Sequence, residues 1–447
     1  MSITVLEILS VIKDDIQDNK EILTDKKINS FKIDSREVKE NDVFIALLGS
    51  NVDGYDYIDD ALQNGACLVI TNRSHKSPLV LSVRDSLKSL GLIANYYIKK
   101  INSISIGITG TNGKSTVTAM TASITQHWCN TAKTLGNYNN QIGLPLSVLT
   151  ADINTEIFVL EMGASKIGDI RELTTIVEPK IVALLNVSSA HIDTFGNLEN
   201  IYKAKEELLE DQGYEKTVIL NKDDENFPKW EKKASRHHVI TISKRQESDY
   251  RLVGQSLGKL IIKTKKFGII NINTNSQEDY MVSNLLFSIA CAAESGADAQ
   301  SIKKGIENFT LPKGRFSVLN GHNNSKIIDS SYNANPESFK AAIDSLVARE
   351  SREKWLIMGQ MGELGKASEE HHIAVLRYAE SKKIDRIFLI SDHAEKIKKT
   401  VKIEINVFKS KEDLIKYILP MLKSNIDVLI KASRYMKFES IVQSLRE

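Results

Sequence analysis

The sequence predicts an α/β fold in three domains, and three observations predict it. Apolar runs of strand length, bounded by turns, alternate with helix-length segments along most of the 447 residues. A glycine-rich turn, Gly110-Thr111-Asn112-Gly113, joins one such strand to a following helix. A compact Pro/Gly break, Thr310 to Phe316, separates two alternating stretches. The length, taken as a soft prior, allows about three domains.

The elements follow in order. A small N-terminal α/β domain is expected over 1–100. Its strands are Asp42–Leu47 and Cys67–Asn72, with a helix at Tyr57–Gly65 between them and the helix "SLKSLGLIANYYIKK" closing it. A central, mostly parallel α/β domain of the phosphate-loop type is expected over 101–312. The strand "SISIGITG" enters the glycine turn, and a helix begins near Lys114. Buried strands follow at 157–163, 181–187 and 217–221. A C-terminal doubly wound, Rossmann-like domain is expected over 313–447, with strands at 326–330, 355–359, 387–391 and 428–433 alternating with helices.

Composition narrows the class. A hydrophobic fraction of 42% and a charged fraction of 26% are those of an ordinary globular protein. The net charge of +2, from 59 basic and 57 acidic residues, gives no support for a nucleic-acid or membrane-surface partner. Three scattered cysteines without CxxC spacing suit a reducing compartment and argue against a disulfide framework or a zinc site. The N-terminus has no basic segment followed by an apolar one, and no apolar run approaches the roughly 18 residues of a membrane span. A cytoplasmic protein is expected.

The turn at 110–113 carries the first chemistry. A polyphosphate needs many donors at short range. Glycines let backbone N–H groups converge, and the helix N-terminus adds partial positive charge. Lys114 supplies a full charge to the outer phosphates, and the hydroxyl of Ser115 or Thr116 can ligate a bridging Mg²⁺. The general phosphate-loop pattern would place a further glycine at 108, where this chain has Ile108. The competing reading, a tight turn with an incidental lysine, fits poorly with a strand before and Gly-Lys-Ser-Thr at the helix start. Glu161 ends a strand at the sheet edge where open α/β folds bind ligands, so it can hold Mg²⁺ directly or through water. His191 follows the next strand; a lone histidine is more often a core or surface residue. By its residue type alone, Lys205 reads as a surface lysine of a helix. An arginine at the second boundary, Arg315, can reach phosphates only when the flanking domains close.

The loop Thr109–Ser115 has the spelling Thr-Gly-Thr-x-Gly-Lys-Ser and resembles that of the Mur ligases of peptidoglycan synthesis. The resemblance extends over nearly the whole chain through "DSR" (34–36), "GNYNNQIGLP" (136–145), "LEMGAS" (160–165), "SSAHIDTFGN", "SSYNANPES" (330–338), "GELG" (362–365) and "KASR" (431–434). It implies an ATP-dependent amide ligase acting through an acyl phosphate. The motif set points to the member that joins D-alanyl-D-alanine to UDP-N-acetylmuramoyl-tripeptide. It implies ATP held by Thr109, Gly110, Thr111, Asn112, Gly113, Lys114, Ser115 and Thr116, with Asn284 near adenine, Arg315 at the phosphates and Asp329 at the ribose. It implies two Mg²⁺ on Ser115, Glu161, His191 and Lys205, with Lys205, fourteen positions after His191, carbamoylated. It also implies Ser35 and Arg36 at the uridine diphosphate, and Asn139, Asn140, Asn333 and Asn335 at the peptide substrates, in a monomer. Four residues depart from the family pattern: Tyr55, Glu278, Tyr280 and Ser330. Two alternatives follow: a Mur ligase adding a single amino acid, or a nucleotide-binding regulator without catalysis.

Overall fold

The structure is a computed structural model that describes residues 3–17, 25–49, 52–188, 192–274, 278–351 and 353–447. It contains three sheets. The first is all parallel, in the order β1 (Phe31–Lys32), β2 (Val43–Ile45), β3 (Leu68–Thr71), β4 (Val80–Ser82). The helix Ser86–Lys100 leaves it, N-capped by Asp85, which accepts the N–H groups of Leu87 and Lys88. Buried Gly91 on this helix lies against Ile176 of the helix Asp169–Val177, where an added Cβ would come within 3.2 Å. The first sheet and one face of the second therefore share a continuous apolar core.

The second sheet has nine strands. In chain order they are β5 (Ile104–Thr109), β6 (Thr131–Lys133), β7 (Ile157–Glu161), β8 (Ile181–Leu184), β9 (Thr217–Asn221), β10 (His238–Ser243), β11 (Tyr250–Ser256), β12 (Lys259–Thr264) and β13 (Gly268–Asn273). In space they run β13-β12-β11-β10-β9-β8-β5-β7-β6. The ladder is parallel from β6 through β11, and two antiparallel hairpins, β11–β12 and β12–β13, extend it. These hairpins are a feature the sequence reading passes over. Their inner positions, Leu260, Ile262, Ile270 and Ile272, are buried in period-two alternation. The helices Lys114–Thr125 and Asp279–Ser295 cover this face.

The third sheet runs β14 (Ser317–Asn320), β15 (Lys326–Asp329), β19 (Ile426–Lys431), β16 (Glu353–Gly359), β17 (Arg386–Ile390), β18 (Ile405–Val407). It is parallel except for the edge strand β14. Apolar clusters on both faces make it doubly wound. In the second and third sheets, strands expected from apolar runs often end a few residues early. The ladder of β7 stops at Glu161 and that of β8 at Leu184, and the residues beyond form the loops that build the site.

Candidate active site

β5 lies between β7 and β8, with Ile108 opposite Glu161 and Thr109 opposite Leu184. This register brings three strand-end loops together at one edge of the sheet. Gly113 there has φ 90°, and a Cβ on it would lie 2.5 Å from Oδ1 of Asn284, so both the backbone conformation and the close approach demand glycine. Asn186, just past β8, clamps the loop: its Oδ1 accepts the N–H of Asn112 at 2.9 Å and its Nδ2 donates to the Asn112 carbonyl at 3.0 Å. Lys114 Nζ donates to the carbonyls of Gly110 and Thr111 at 2.9 and 3.1 Å. Burial lowers the pKa of this ammonium; Arg315 lowers it further, while Glu161 opposes both.

Ser115 Oγ donates to Glu161 Oε2 at 2.5 Å, and Asn139 Nδ2 donates to Oε1 at 2.8 Å. Glu161 is buried, and Thr134 Oγ1 accepts its backbone N–H. A hydroxyl, a carboxylate and the oxygens of a bound phosphate form the hard donor set that suits Mg²⁺. Among the described residues no group of three His, Cys, Asp or Glu side chains gathers as a metal cage.

The third sheet faces this loop across a cleft of about 690 Å³. Arg315 Nη2 donates to Ser115 Oγ at 2.8 Å. The Tyr332 ring lies 4.1 Å from the Arg315 guanidinium and 5.3 Å from that of Arg434. Asn335 Nδ2 donates to Asn112 Oδ1 at 2.8 Å, while Asn335 Oδ1 caps the helix Pro336–Val347 through the N–H of Ser338. Lys431 Nζ donates to the Asn333 carbonyl at 2.8 Å and lies 3.2 Å from Ser330 Oγ. Burial, with help from Arg315, brings the Lys431 pKa down to about 7.

The cleft therefore gathers Thr111, Asn112, Gly113, Lys114, Ser115, Thr116, Asn139, Glu161, Asn284, Arg315, Asn333 and Asn335 from the expected set. Thr109 and Gly110 stand just behind, with Thr109 Oγ1 tied to the Met162 carbonyl at 2.7 Å. Asp329 is buried beside the cleft, its Oδ1 accepting from the N–H and Oγ of Ser331. Asn140 Oδ1 accepts the N–H groups of Ile142 and Gly143 and shapes the turn into the helix Gly143–Leu149.

Lys205, which looks like a surface lysine in sequence, is buried on the helix Leu198–Glu206. Burial, then the charge of Lys114, lowers its pKa to about 7 against the attraction of Glu161 and Asp169. His191 lies outside the described residues. Ser35 and Arg36 are in the first sheet's domain, away from the cleft. Ser35 is buried, and exposed Arg36 forms a two-point pair with Asp34. The sequence reading misses Asn186, Tyr332 and Lys431's burial. The signal for Asn186 is a polar residue just beyond a buried parallel strand, and that for Tyr332 is an aromatic residue inside the Asn-rich turn.

Family models match the chain in three consecutive stretches: the Mur ligase family catalytic domain at 27–95, the Mur ligase middle domain at 108–292 and the Mur ligase glutamate ligase domain at 314–434. The chain belongs to the Mur ligase family. Its curated relatives include the UDP-N-acetylmuramoyl-tripeptide–D-alanyl-D-alanine ligases of Haemophilus influenzae (30% identical over 434 residues, 94% of each chain) and Bacillus subtilis (30% over 435 residues, 94% of this chain and 93% of the other). Among solved structures, the MurF ligase of Thermotoga maritima in complex with ADP is 28% identical, with a TM-score of 0.82 over 93% of this chain and 96% of that one. MurF of Acinetobacter baumannii, 24% identical with a TM-score of 0.91 over 99% of this chain and 98% of that one, shares the fold.

Proposed function

We propose that this chain uses ATP to join D-alanyl-D-alanine to the C-terminal carboxylate of UDP-N-acetylmuramoyl-tripeptide, a cytoplasmic step of peptidoglycan precursor synthesis. The observation that carries the reading is the cleft itself, in which the phosphate loop of the second sheet meets the Asn333–Asn335 turn of the third. A carboxylate is a poor electrophile, and phosphorylation makes it one that an amine can attack. In this reading the backbone of 110–113, Lys114 and Arg315 hold the polyphosphate and stabilise charge as the phosphoryl group moves. Ser115 and Glu161 would hold one Mg²⁺, with His191 and a carbamoylated Lys205 serving a second. The metal, when bound, supplies positive charge against the phosphate and carboxylate oxygens. Asn139 orients Glu161 through its 2.8 Å hydrogen bond. Asn284, close against Gly113, would approach the adenine, and Asp329 would serve the ribose.

The division of labour follows the domains. Residues 1–100, with Ser35 and Arg36, take the uridine diphosphate end; 101–312 bind ATP; and 313–447 close over it and present the dipeptide near Asn333, Asn335 and Lys431. Closure excludes water from the acyl phosphate, which would otherwise hydrolyse. The chain acts as a monomer. The test is release of phosphate from ATP with each acceptor alone and with both. Release that requires UDP-N-acetylmuramoyl-tripeptide and D-alanyl-D-alanine together supports the reading. Release with a single amino acid points to another ligase of the family, and no release with any acceptor points to a regulator.

A further inference from the structure

The loop after β16 is unusually constrained. Glu363 and Gly365 both have left-handed backbones, with φ 61° and 53°, and a left-handed glutamate is strained. Such strain persists only where the surroundings over-determine it, and here successive residues are braced from within the third domain. The Gln360 carbonyl accepts the N–H of Ser433 at 3.1 Å. The Met361 N–H donates to Nε2 of buried His372 at 2.9 Å, and the other ring nitrogen of His372 is 2.6 Å from the Ser368 carbonyl. The Gly362 N–H donates to Ser433 Oγ at 2.7 Å.

The tip of this braced loop leaves its own domain. The Glu363 carbonyl accepts the N–H of Asp193 at 3.2 Å. At Gly365, the three atoms nearest an added Cβ all belong to Asp193, the closest being Oδ1 at 3.0 Å. Asp193 lies on the short helix Ile192–Phe195, two residues past His191. The third domain thus reaches the helix that follows His191 through a loop braced from within its own fold and carrying two left-handed residues.

We propose that residues 361–365 form the latch that sets the closed position of the third domain on the central one, with Gly365 and His372 as positioning residues. The proposal rests on the ligase reading and assigns a task to the "GELG" motif that the nucleotide and dipeptide sites leave unused. Closing contacts at Arg315 and Asn335 act at the phosphate loop; the latch adds a separate contact at Asp193 and so fixes the rotation of the domain about them.

The test uses the full chain. Asp193→Pro removes the N–H donor at a first-turn helix position that tolerates proline. It is expected to lower kcat roughly tenfold with KM for ATP within about twofold, because misplacement of a closing domain affects turnover more than nucleotide binding. Asp193→Ala keeps the donor and is expected to lose far less. Gly365→Ala should lower kcat similarly, and adding Asp193→Ala should restore part of the loss by removing the carboxylate that the new methyl meets. A kcat unchanged by Asp193→Pro, or no relief of Gly365→Ala by Asp193→Ala, overturns the latch.

A second arm needs no acceptor. An added Cβ at 365 lies 3.8 Å from Cα of Asp193, within reach of a disulfide. Asp193→Cys with Gly365→Cys should therefore cross-link under oxidised glutathione. Failure to cross-link with and without an ATP analogue overturns the contact. Cross-linking in a chain whose wild type does not ligate the dipeptide retains the latch and removes only the ligase reading.

Discussion

Lys205 is buried on its helix, and burial together with the nearby charge of Lys114 brings its amine to a pKa of about 7. Near neutral pH a large share of this group is the free amine, the form that adds CO₂. Carbamoylation would replace a cation beside Lys114 with an anion and relieve their repulsion. Lys205→Ala is expected to reduce ligation by roughly two orders of magnitude, with partial rescue by short carboxylates. Labelled CO₂ should give a carbamate signal in the wild type that the variant lacks; wild-type activity in the variant would exclude the role. The same shift makes a stability prediction. Because the folded pKa lies below the unfolded one, the unfolded chain binds more protons between them, and stability rises with pH from about 7 towards the unfolded lysine value. In CO₂-free buffer, Lys205→Met should therefore be more resistant to urea than the wild type at about pH 6, with the gap narrowing by about pH 9. Lys114→Ala should abolish ATP turnover, and retained turnover would displace the phosphate loop from the mechanism. Lys114, Ser115, Glu161 and Arg315 were legible in sequence because a local motif or a strand end carries each. Asn186 and Tyr332 were not, because their relevance depends on which strands are neighbours and on what faces them across the cleft.

Among the elements, the turn Asn333–Pro336 does two jobs. Asn335 caps the helix Pro336–Val347 in a capping box with Ser338, and Pro336 occupies a first-turn position. Its amide nitrogen simultaneously reaches Asn112 on the phosphate loop. Cap and clip can be separated. Asn335→Ala should cost about 1 kcal/mol of stability through the lost cap, whereas Asn335→Asp keeps a capping oxygen and should unfold near the wild-type urea midpoint. Both lose the donor to Asn112, so both should lower kcat; an Asn335→Asp enzyme with wild-type kcat would show the clip to be idle. The sequence reading assigns Asn335 to the peptide substrates and does not see the cap or its partner in another domain, because both depend on the folded geometry. The strands of the parallel core were readable from continuous apolar runs such as "IFVLE" and "TVILN". Their ends were overestimated, because apolar residues such as Met162 and Leu185 continue past the last ladder pair to pack beneath the site loops. The hairpins of 250–273 were passed over because each offers only a few alternating apolar residues among many polar ones.

Across the whole molecule, the nearly cancelling charge of +2 conceals a concentration of cations. Lys114, Arg315, Lys431 and Arg434 converge on one cleft from two domains, where their mutual repulsion is relieved by a polyanion. Composition averages this away, and only the meeting of the second and third sheets reveals it. The same meeting places the phosphate loop opposite the Asn333–Asn335 turn and brings the third domain against the central one at Ser115, Asn112 and Asp193 and, through Phe316, at Tyr280. In the proposed mechanism the cleft activates a carboxylate by phosphorylating it before an amine attacks. Heavy oxygen placed in the C-terminal carboxylate of UDP-N-acetylmuramoyl-tripeptide follows that step. Ligation to D-alanyl-D-alanine through an acyl phosphate transfers one labelled oxygen to the released phosphate; phosphate free of label, with ligation intact, would contradict it.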